Sequence, residues 1–543
     1  MLYPVRHPRA TTPRRSAPPQ THAAYPFSAP LRGIDITQPM PGGDPLTALR
    51  LENLIPRTLG LTLRAGHSRW VSKLGGEVRS LLKYQPATGL PKLLAAASTG
   101  DIFDVTNAIP SGTAPTPLTT IPGNPSGEWT SLNFVTGAGV HVLVMVNPGG
   151  GYWTYDGVAF TQVGMGTNPG EVDGVDPDTF VFVTVYKNRL WFVEEGTTKA
   201  WYLPTGQTAG VATAFDFGAM FPEGGALDVL INWTFDGSSG VGINSQLVAV
   251  STQGDVLVYS GDDPDEATTF RVVGRWFIGH VPVGRRYFAQ YMSDVAILSE
   301  RGLCFLSELM RGQGFFQNVQ TAAAVNSALA QEISASLHLP YWEVKFLPHE
   351  QLVIINRGET NELNLQWAYE VNNKAFSVLR GLPMLTVDTY DGKSFSGDIS
   401  GNVWKVFDGD SDGSVDGVPG ASLVGNCVTA YQPLGDGVRV KRFLMVRTSF
   451  ISRWAPSVAA KINSEWSLGL ATDGTVNVDT PPGGIWDTSL WDQALWGGGS
   501  GDYQAWAGAS GAGRYGALSL GVMGAAGTIF IGWQALVEAG GIL

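Results

Sequence analysis

Cysteine is almost missing from this chain. Cys304 and Cys427 are the only two in 543 residues, which excludes a disulfide framework and any zinc-type spacing. Charge is also scarce, at 15% of residues, and it leans acidic: 35 Lys and Arg against 47 Asp and Glu, for a net charge of −12. Duplex affinity is built from cations neutralising phosphates, so gripping nucleic acid is excluded as the main task, although passive passage is not. The seven His are scattered without H-E-x-x-H, and G-x-S-x-G and P-loop motifs are absent. No catalytic set and no cofactor site emerge, and the expectation is a protein that is not an enzyme. No apolar secretory segment follows Met1-Leu2-Tyr3-Pro4, which points to assembly in a reducing cytoplasm. The stretch from Tyr515 to Val537 carries no charge and is long enough to span a bilayer. Its glycines (516, 521, 524, 527 and 532) and the β-prone Thr528-Ile529-Phe530-Ile531 favour buried strands instead, so no integral membrane segment is expected.

What the chain does have is glycine (69), proline (33) and aromatic residues: 17 Trp, 16 Tyr and 24 Phe. Gly and Pro are costly inside helices, while the aromatics offer large areas to bury, so the balance is that of a folded all-β protein rich in turns. One phrase recurs: an apolar strand, a tight polar turn and a second apolar strand. The clearest copies are 93–105, turning at Ser98-Thr99-Gly100-Asp101, and 247–259, turning at Ser251-Thr252-Gln253-Gly254-Asp255. Further turns centre near residues 149, 188, 301, 349 and 401, so that successive copies lie 39 to 65 residues apart. An isolated hairpin cannot cover its own apolar face, and repeats of ~40 to 50 residues are typical of propeller blades, whose neighbours supply the cover. The expected fold is a β-propeller of six or seven blades over residues 91–409.

The flanks read differently. Residues 1–30 contain Arg6, Arg9, Arg14 and Arg15 among seven prolines and no acid, which predicts an extended basic arm. Asp44 to Pro56 predicts a short helix, with Asp44 as its cap, Pro45 in its first turn and Pro56 as its stop. Strands are expected at 59–65 and 78–84, and a Ser, Thr, Pro and Gly loop at 107–127. After Val406 the repeat gives way to an Asp-Gly series, then to strands at 423–431 and 441–451. This divides the chain into a segment 31–90, the propeller, and a β-rich segment 410–543.

Several constellations could carry chemistry. Asp408, Asp410 and Asp412 followed by Gly413 resemble the opening of a calcium loop, with Asp416 as a further ligand, but Pro419 stands where a bidentate Glu would close it. An Asp-Gly turn at a domain joint accounts for the same residues. Ser396 to Trp404, with Asp398 and Gly401, is close to the Asp-box turn of sialidase propellers but one residue too long. Arg271, Arg275, Arg285 and Arg286 are the arginines such an enzyme would need to converge. Gly511-Ala-Gly513-Arg-Tyr-Gly516 matches G-x-G-x-x-G without a βαβ context and reads as a turn. Two acidic clusters, Glu171, Asp173, Asp176 and Asp178, and Asp262, Asp263, Asp265 and Glu266, suit solvated loops or the lining of a passage from which a polyanion is repelled. Trp486, Trp491 and Trp496, five residues apart, fit neither one strand face nor one helix stripe and are candidate interface aromatics.

These residues carry a resemblance. Pro45-Leu-Thr-Ala-Leu-Arg-Leu-Glu-Asn53-Leu-Ile-Pro56, Leu63-Arg64-Ala-Gly66, Ser80-Leu-Leu-Lys-Tyr84 and the stretch Leu94 to Thr106 at the front are one part of it. Trp486-Asp487, Trp491-Asp492, Trp496 and Gly540-Gly541-Ile542-Leu543 at the end are the other. The chain resembles the tail nozzle proteins, or tail tubular protein B-like family, of short-tailed DNA bacteriophages (podoviruses). The resemblance implies a virion protein of the tail, assembled in the host cytoplasm as a homo-hexamer below the portal and adaptor rings and beside tail fibre or spike proteins. Double-stranded DNA would be retained and ejected through its centre without sequence-specific binding. The propeller would sit on the outer flank, with residues 31–90 packed on 410–543 as the tube wall. The basic arm lies outside the pattern. The alternative is a glycan-binding or polysaccharide-degrading propeller at a phage tail or cell surface.

Overall fold

In the computed structural model the described residues are 22–37, 40–122, 126–235, 244–266, 268–311, 323–339, 341–357, 365–471 and 501–540. Most of residues 1–30, the three tryptophans Trp486, Trp491 and Trp496, and the closing 541–543 lie outside them.

Strand pairing establishes a β-propeller. Six blades are each made from one continuous stretch of chain: 78–120, 130–162, 180–216, 227–277, 288–305 and 343–380. A seventh sheet closes the ring by combining 386–406 with His67–Val71. The first strand of each sheet contacts the first strand of the next, and the last, Thr386–Tyr390, returns to Val78–Tyr84. Each blade is an antiparallel meander, and the centres of these strands, such as Leu143 to Val146 and Val248 to Val250, are buried on both faces. That explains why they read as continuous apolar runs and not as alternation.

The expected boundary at residue 90 lies too late, because Val78–Tyr84 is the first strand of the first blade and His67–Val71 the fourth of the seventh sheet, which continues into Ser411–Ser414 and Ala421–Ser422. Closure by a strand from the far end of the sequence ties a ring whose two ends would otherwise be unpaired edges.

The chain's flanks build two further sheets. Ala48–Glu52, Val424–Thr429, Gly516–Met523 and Ser457–Ser464 extend the sixth blade into an eight-stranded sheet through Glu52 beside Val378. A seven-stranded sheet holds Leu54–Arg57, Gly60–Leu63, Ile529–Ala539, Lys441–Ser452 and Gly501–Gly508, with His22–Ser28 along Ile529–Ala539. Gly532 permits that last pairing, since a Cβ there would stand 2.5 Å from the Phe27 carbonyl oxygen.

The helix expected over 44–56 does not form. Asp44 caps only a turn, accepting from the Leu46 amide at 2.9 Å, and the chain then enters strands Ala48–Glu52 and Leu54–Arg57. Antiparallel pairing with Val424–Thr429 supplies the backbone bonds, Asn53 turns the chain at φ 57°, and Leu51 and Leu54 are fully buried. Long-range pairing outweighs a local propensity of a few tenths of a kcal/mol per residue. Pro56 is tolerated because its strand lies at the sheet edge. The charge-free stretch 515–537 is two strands, Gly516–Met523 and the greater part of Ile529–Ala539, and among the described residues no helix is long and apolar enough to cross a membrane.

Candidate functional site

The first strands of all seven sheets surround an axial cavity of about 460 Å³. In a strand, alternate side chains share a face, and in three of these strands the axial positions are charged: Lys83, Glu343 with Lys345, and Asp388. Asp388 is 6% exposed and receives two ammonium groups, Lys83 Nζ on Oδ1 and Lys345 Nζ on Oδ2, each at 2.8 Å. Burial pushes its pKa up, but Lys345 and Lys83 together overcome that and hold it below the usual carboxylate value. Burial pushes Lys345 down, and Asp388 and Glu343 more than restore it.

Beside this layer, Glu343 accepts from Thr386 Oγ1 at 3.1 Å, the Val387 amide at 3.1 Å and Asn356 Nδ2 at 3.2 Å, with Arg286 4.0 Å away. Burial nevertheless raises its pKa. Arg285 pairs with Asp228 at 3.2 Å, and Arg286 donates to the Arg79 carbonyl and the Ser80 hydroxyl. Where the first strands begin, Arg79 lies over the Tyr341 ring at 4.4 Å and bonds Glu128 at 3.0 Å. The network joins the first, fourth, fifth, sixth and seventh blades and leaves polar groups facing open volume.

Of the four arginines, only Arg285 and Arg286 reach the axis, while Arg271 and Arg275 belong to the outer strand Arg271–Phe277 of the fourth blade. The convergent set of a sialidase is therefore not assembled. Asp398 accepts from the amides of Ser400 and Asn402, from Asn402 Nδ2 and from Trp404 Nε1, all within 2.7 to 2.8 Å, and so serves as the clamp of a hairpin turn. Gly511 and Gly513 occupy a turn at φ 110° and the short strand Ala512–Gly513.

The Asp-Gly series does not gather round one point. Asp408 binds Lys405 at 2.7 Å and Ser68 at 3.0 Å, Asp410 accepts from Arg453 and from the Ala526 amide, and Asp416 receives Ser111. Asp412 takes the Arg64 guanidinium on both oxygens at 2.7 Å each, with His67 Nδ1 at 3.2 Å. Four carboxylates with four separate sets of partners tie neighbouring segments to one another, which replaces the calcium-loop reading. Among the described residues no group of three or more His, Cys, Asp or Glu could hold a metal ion.

The acidic clusters lie on loops away from the axial cavity. Glu171 accepts from the Asn168 amide, Asp176 caps the turn at Pro177–Thr179 through the Asp178 amide, and Asp178 meets Gln162 at 3.3 Å, while Asp173 is half-buried in a short strand. Asp262 and Asp263 pair with Lys187 and Arg189, Asp265 accepts from Tyr202, and the Glu266 carbonyl closes the following turn.

The sequence reading passed over Lys83, Lys345, Asp388, Glu343 and Asp228. The signal was there: Leu82-Lys83-Tyr84, Val344-Lys345-Phe346 and Val387-Asp388-Thr389 each set one charge inside an apolar or β-prone strand. A charge there is placed only if it finds a partner or water.

No family model matches the chain, and no curated protein matches it. Similar solved structures include BBS1N in complex with ARL6DN (TM-score 0.37, 11% identity, 62% of this chain and 94% of that one). Sqt1 of Saccharomyces cerevisiae gives 0.34 and 9%, over 63% and 98% of the two chains. YCF48 from Cyanidioschyzon merolae gives 0.35 and 10%, over 62% and 98%.

Proposed function

We propose that this chain is a structural component of a short-tailed phage virion, the subunit of a hexameric tail nozzle that conducts and gates genomic DNA. The observation that carries this reading is a second β-rich body built jointly by both flanks of the chain and fused to the propeller through Glu52 and Val378. Such a body suits a wall segment closed by sister chains, with the propeller on its outer flank, and it accompanies the motif resemblance at both ends of the sequence. In this reading DNA passes through the bore of the ring, because the axial cavity of one propeller, at about 460 Å³, is far too small for a duplex. The acidic loops at 171–178 and 262–266 and the net charge of −12 then keep passing phosphates hydrated and mobile.

Electron microscopy of the purified chain, alone and mixed with an adaptor ring, is the test. Six-fold particles with an open bore are expected. A stable monomer at micromolar concentration in both preparations would overturn the reading.

A further inference from the structure

We infer that the two open edges of the seven-stranded flanking sheet pair with each other between copies of the chain, His22–Ser28 of one copy lying beside Gly501–Gly508 of the next. The inference rests on the ring reading above and names the contact that closes the ring. Among the described residues His22–Ser28 pairs only with Ile529–Ala539, and Gly501–Gly508 only with Lys441–Ser452, so the sheet ends in an open strand on each side. The Ala29 amide donates to the Ile531 carbonyl at 2.8 Å, and the Ala509 amide to the Leu444 carbonyl at 2.9 Å. Alternation along an antiparallel ladder then turns the main-chain groups of His22, Ala24, Pro26 and Ser28 outward on one edge, and those of Asp502, Gln504, Trp506 and Gly508 outward on the other. None of these main-chain groups meets a backbone partner among the described residues.

Several other edges of the fold are covered or blunted. The outermost strands of the first two blades, Thr119–Thr120 and Phe160–Gln162, are two and three residues long, and Arg271–Phe277 of the fourth exposes Arg271 and Arg275. The sixth blade is continued by Ala48–Glu52. Gly501–Gly508 has eight residues, a single charge at Asp502 and an exposed Trp506, which makes it a template for another strand.

Three observations make that strand a second copy's His22–Ser28. The first is direction. Along the series His22–Ser28, Ile529–Ala539, Lys441–Ser452 and Gly501–Gly508 each strand is antiparallel to the one before, so the two open strands run opposite ways. A rotation about an axis roughly along the strands preserves direction, so it sets Gly501–Gly508 antiparallel to His22–Ser28 of the next copy and repeats the same contact round a ring. The second is the core face. Tyr503, Ala505 and Ala507 are buried there, whereas Tyr25 and Phe27 pack against the same core and stay half-buried; a strand alongside completes their cover. The third is Pro26, which removes one outward donor from its edge. Two His22–Ser28 edges facing each other would lack two donors, and the mixed pair lacks one.

The test is a cysteine scan on the full chain, read by oxidation and denaturing electrophoresis beside electron microscopy of the same samples. Ala24→Cys is combined in turn with Asp502→Cys, Gln504→Cys, Trp506→Cys and Gly508→Cys; the native Cys304 and Cys427 are buried. Cross-strand cysteines join only at matched positions, so one combination should give a ladder of covalent oligomers up to the hexamer, and Ala24→Cys alone should give none. Gln504→Pro removes an outward donor while leaving the bonds to Lys441–Ser452 in place, and it should raise the concentration of half-assembly by about tenfold or more. Six-fold particles with no ladder from any combination, and with Gln504→Pro assembling as wild type, overturn the inference and leave the ring reading standing. Dimers from Gln504→Cys alone, with no ladder, show like edges pairing and overturn it too. The same ladder in an open filament keeps the contact and overturns the ring. A wild type that stays monomeric overturns both. If Gln504→Pro does not fold, the cysteine scan decides.

Discussion

Two buried charge networks in this protein use the same residue types for different ends. At the joint between propeller and flanking sheets, the Arg64 guanidinium, its side chain 1% exposed, spends its donors on Asp412, Asn53 and the carbonyls of Ala65 and Arg380. No donor faces open space: five hydrogen bonds reach four residues spread from Asn53 to Asp412. On the propeller axis, Asp388 is saturated by two lysines that are themselves 42% and 36% exposed in their side chains, and the cluster borders open volume. A planar fork with every donor bound fixes geometry, whereas flexible ammonium groups round a cavity leave charge available. The joint is closed on itself, whereas the axis borders open volume.

The sharpest way to break this contrast is to remove the holding group. Arg64→Ala should cost about 3–5 kcal/mol, because it strands Asp412 and several acceptors in a buried site. Urea denaturation of the isolated chain measures it. A loss below that of any axial variant would mean that the joint is not the tighter network. Asp388→Asn comes next. It should cost roughly 2 kcal/mol, less than a sealed pair, because Lys83 and Lys345 reach cavity water when their partner goes.

Acid sharpens the comparison. Asp412 and Asp388 are both held below the ordinary carboxylate pKa, and in each case burial opposes and the neighbouring cations prevail. A depressed folded pKa gives stability that is present above the unfolded value, about 3.9 for Asp, and is lost as pH falls through the folded value. Stability should therefore fall below about pH 4 in the wild type. Asp412→Asn and Asp388→Asn should each flatten that descent. Glu343 runs the other way. Its raised pKa means that its contribution is full below the unfolded value of about 4.3 and declines as pH rises through the folded one. A denaturation series from pH 3 to 8 on each variant separates the signs, and an unchanged acid limb in both Asp variants would remove these carboxylates from the account.

How much of this was legible beforehand follows from particular turns. Each expected turn marks a different sheet, so the sequence named every blade once. It did not name them at equivalent places. The turns at 99, 149, 253, 301 and 401 join second and third strands in blades one, two, four and five and in the seventh sheet, whereas Lys187-Asn188 and Pro348-His349 join first to second. The 65-residue interval after 188 is thus a change of register, with no blade missing. The even spacing from 301 to 349 hides an insertion, because the helices Leu306–Met310 and Ala323–Ser336 fall between the fifth and sixth blades.

The axial charges were harder. A lone Lys in an apolar strand carries no spacing signature, and its partner Asp388 lies on a strand brought alongside only when the ring closes. The same holds for Arg64, whose partner Asp412 shows in local spacing only as a member of an Asp-Gly series, a turn or at most a weak cation-ligand candidate. Closure of the chain on itself decides both cases, and closure is written in pairings too distant for any local pattern.

The smallest effect belongs to a third kind of pair, which sets the baseline for the other two. Lys187 and Asp262 meet at 2.7 Å on a loop surface where the Asp262 side chain is 86% exposed. Water screens the attraction, and two mobile side chains must be ordered to make it, so Lys187→Ala should change stability by less than about 0.5 kcal/mol, falling further in molar salt. A larger loss would show the loop to be tied down by more than its visible contacts. It would also undercut the idea that acidic loops such as this one are free to face a passing polyanion. A loss near zero, beside the several kcal/mol expected at Arg64, would show that saturation and burial, and not the formal charge of the partners, separate the three sites.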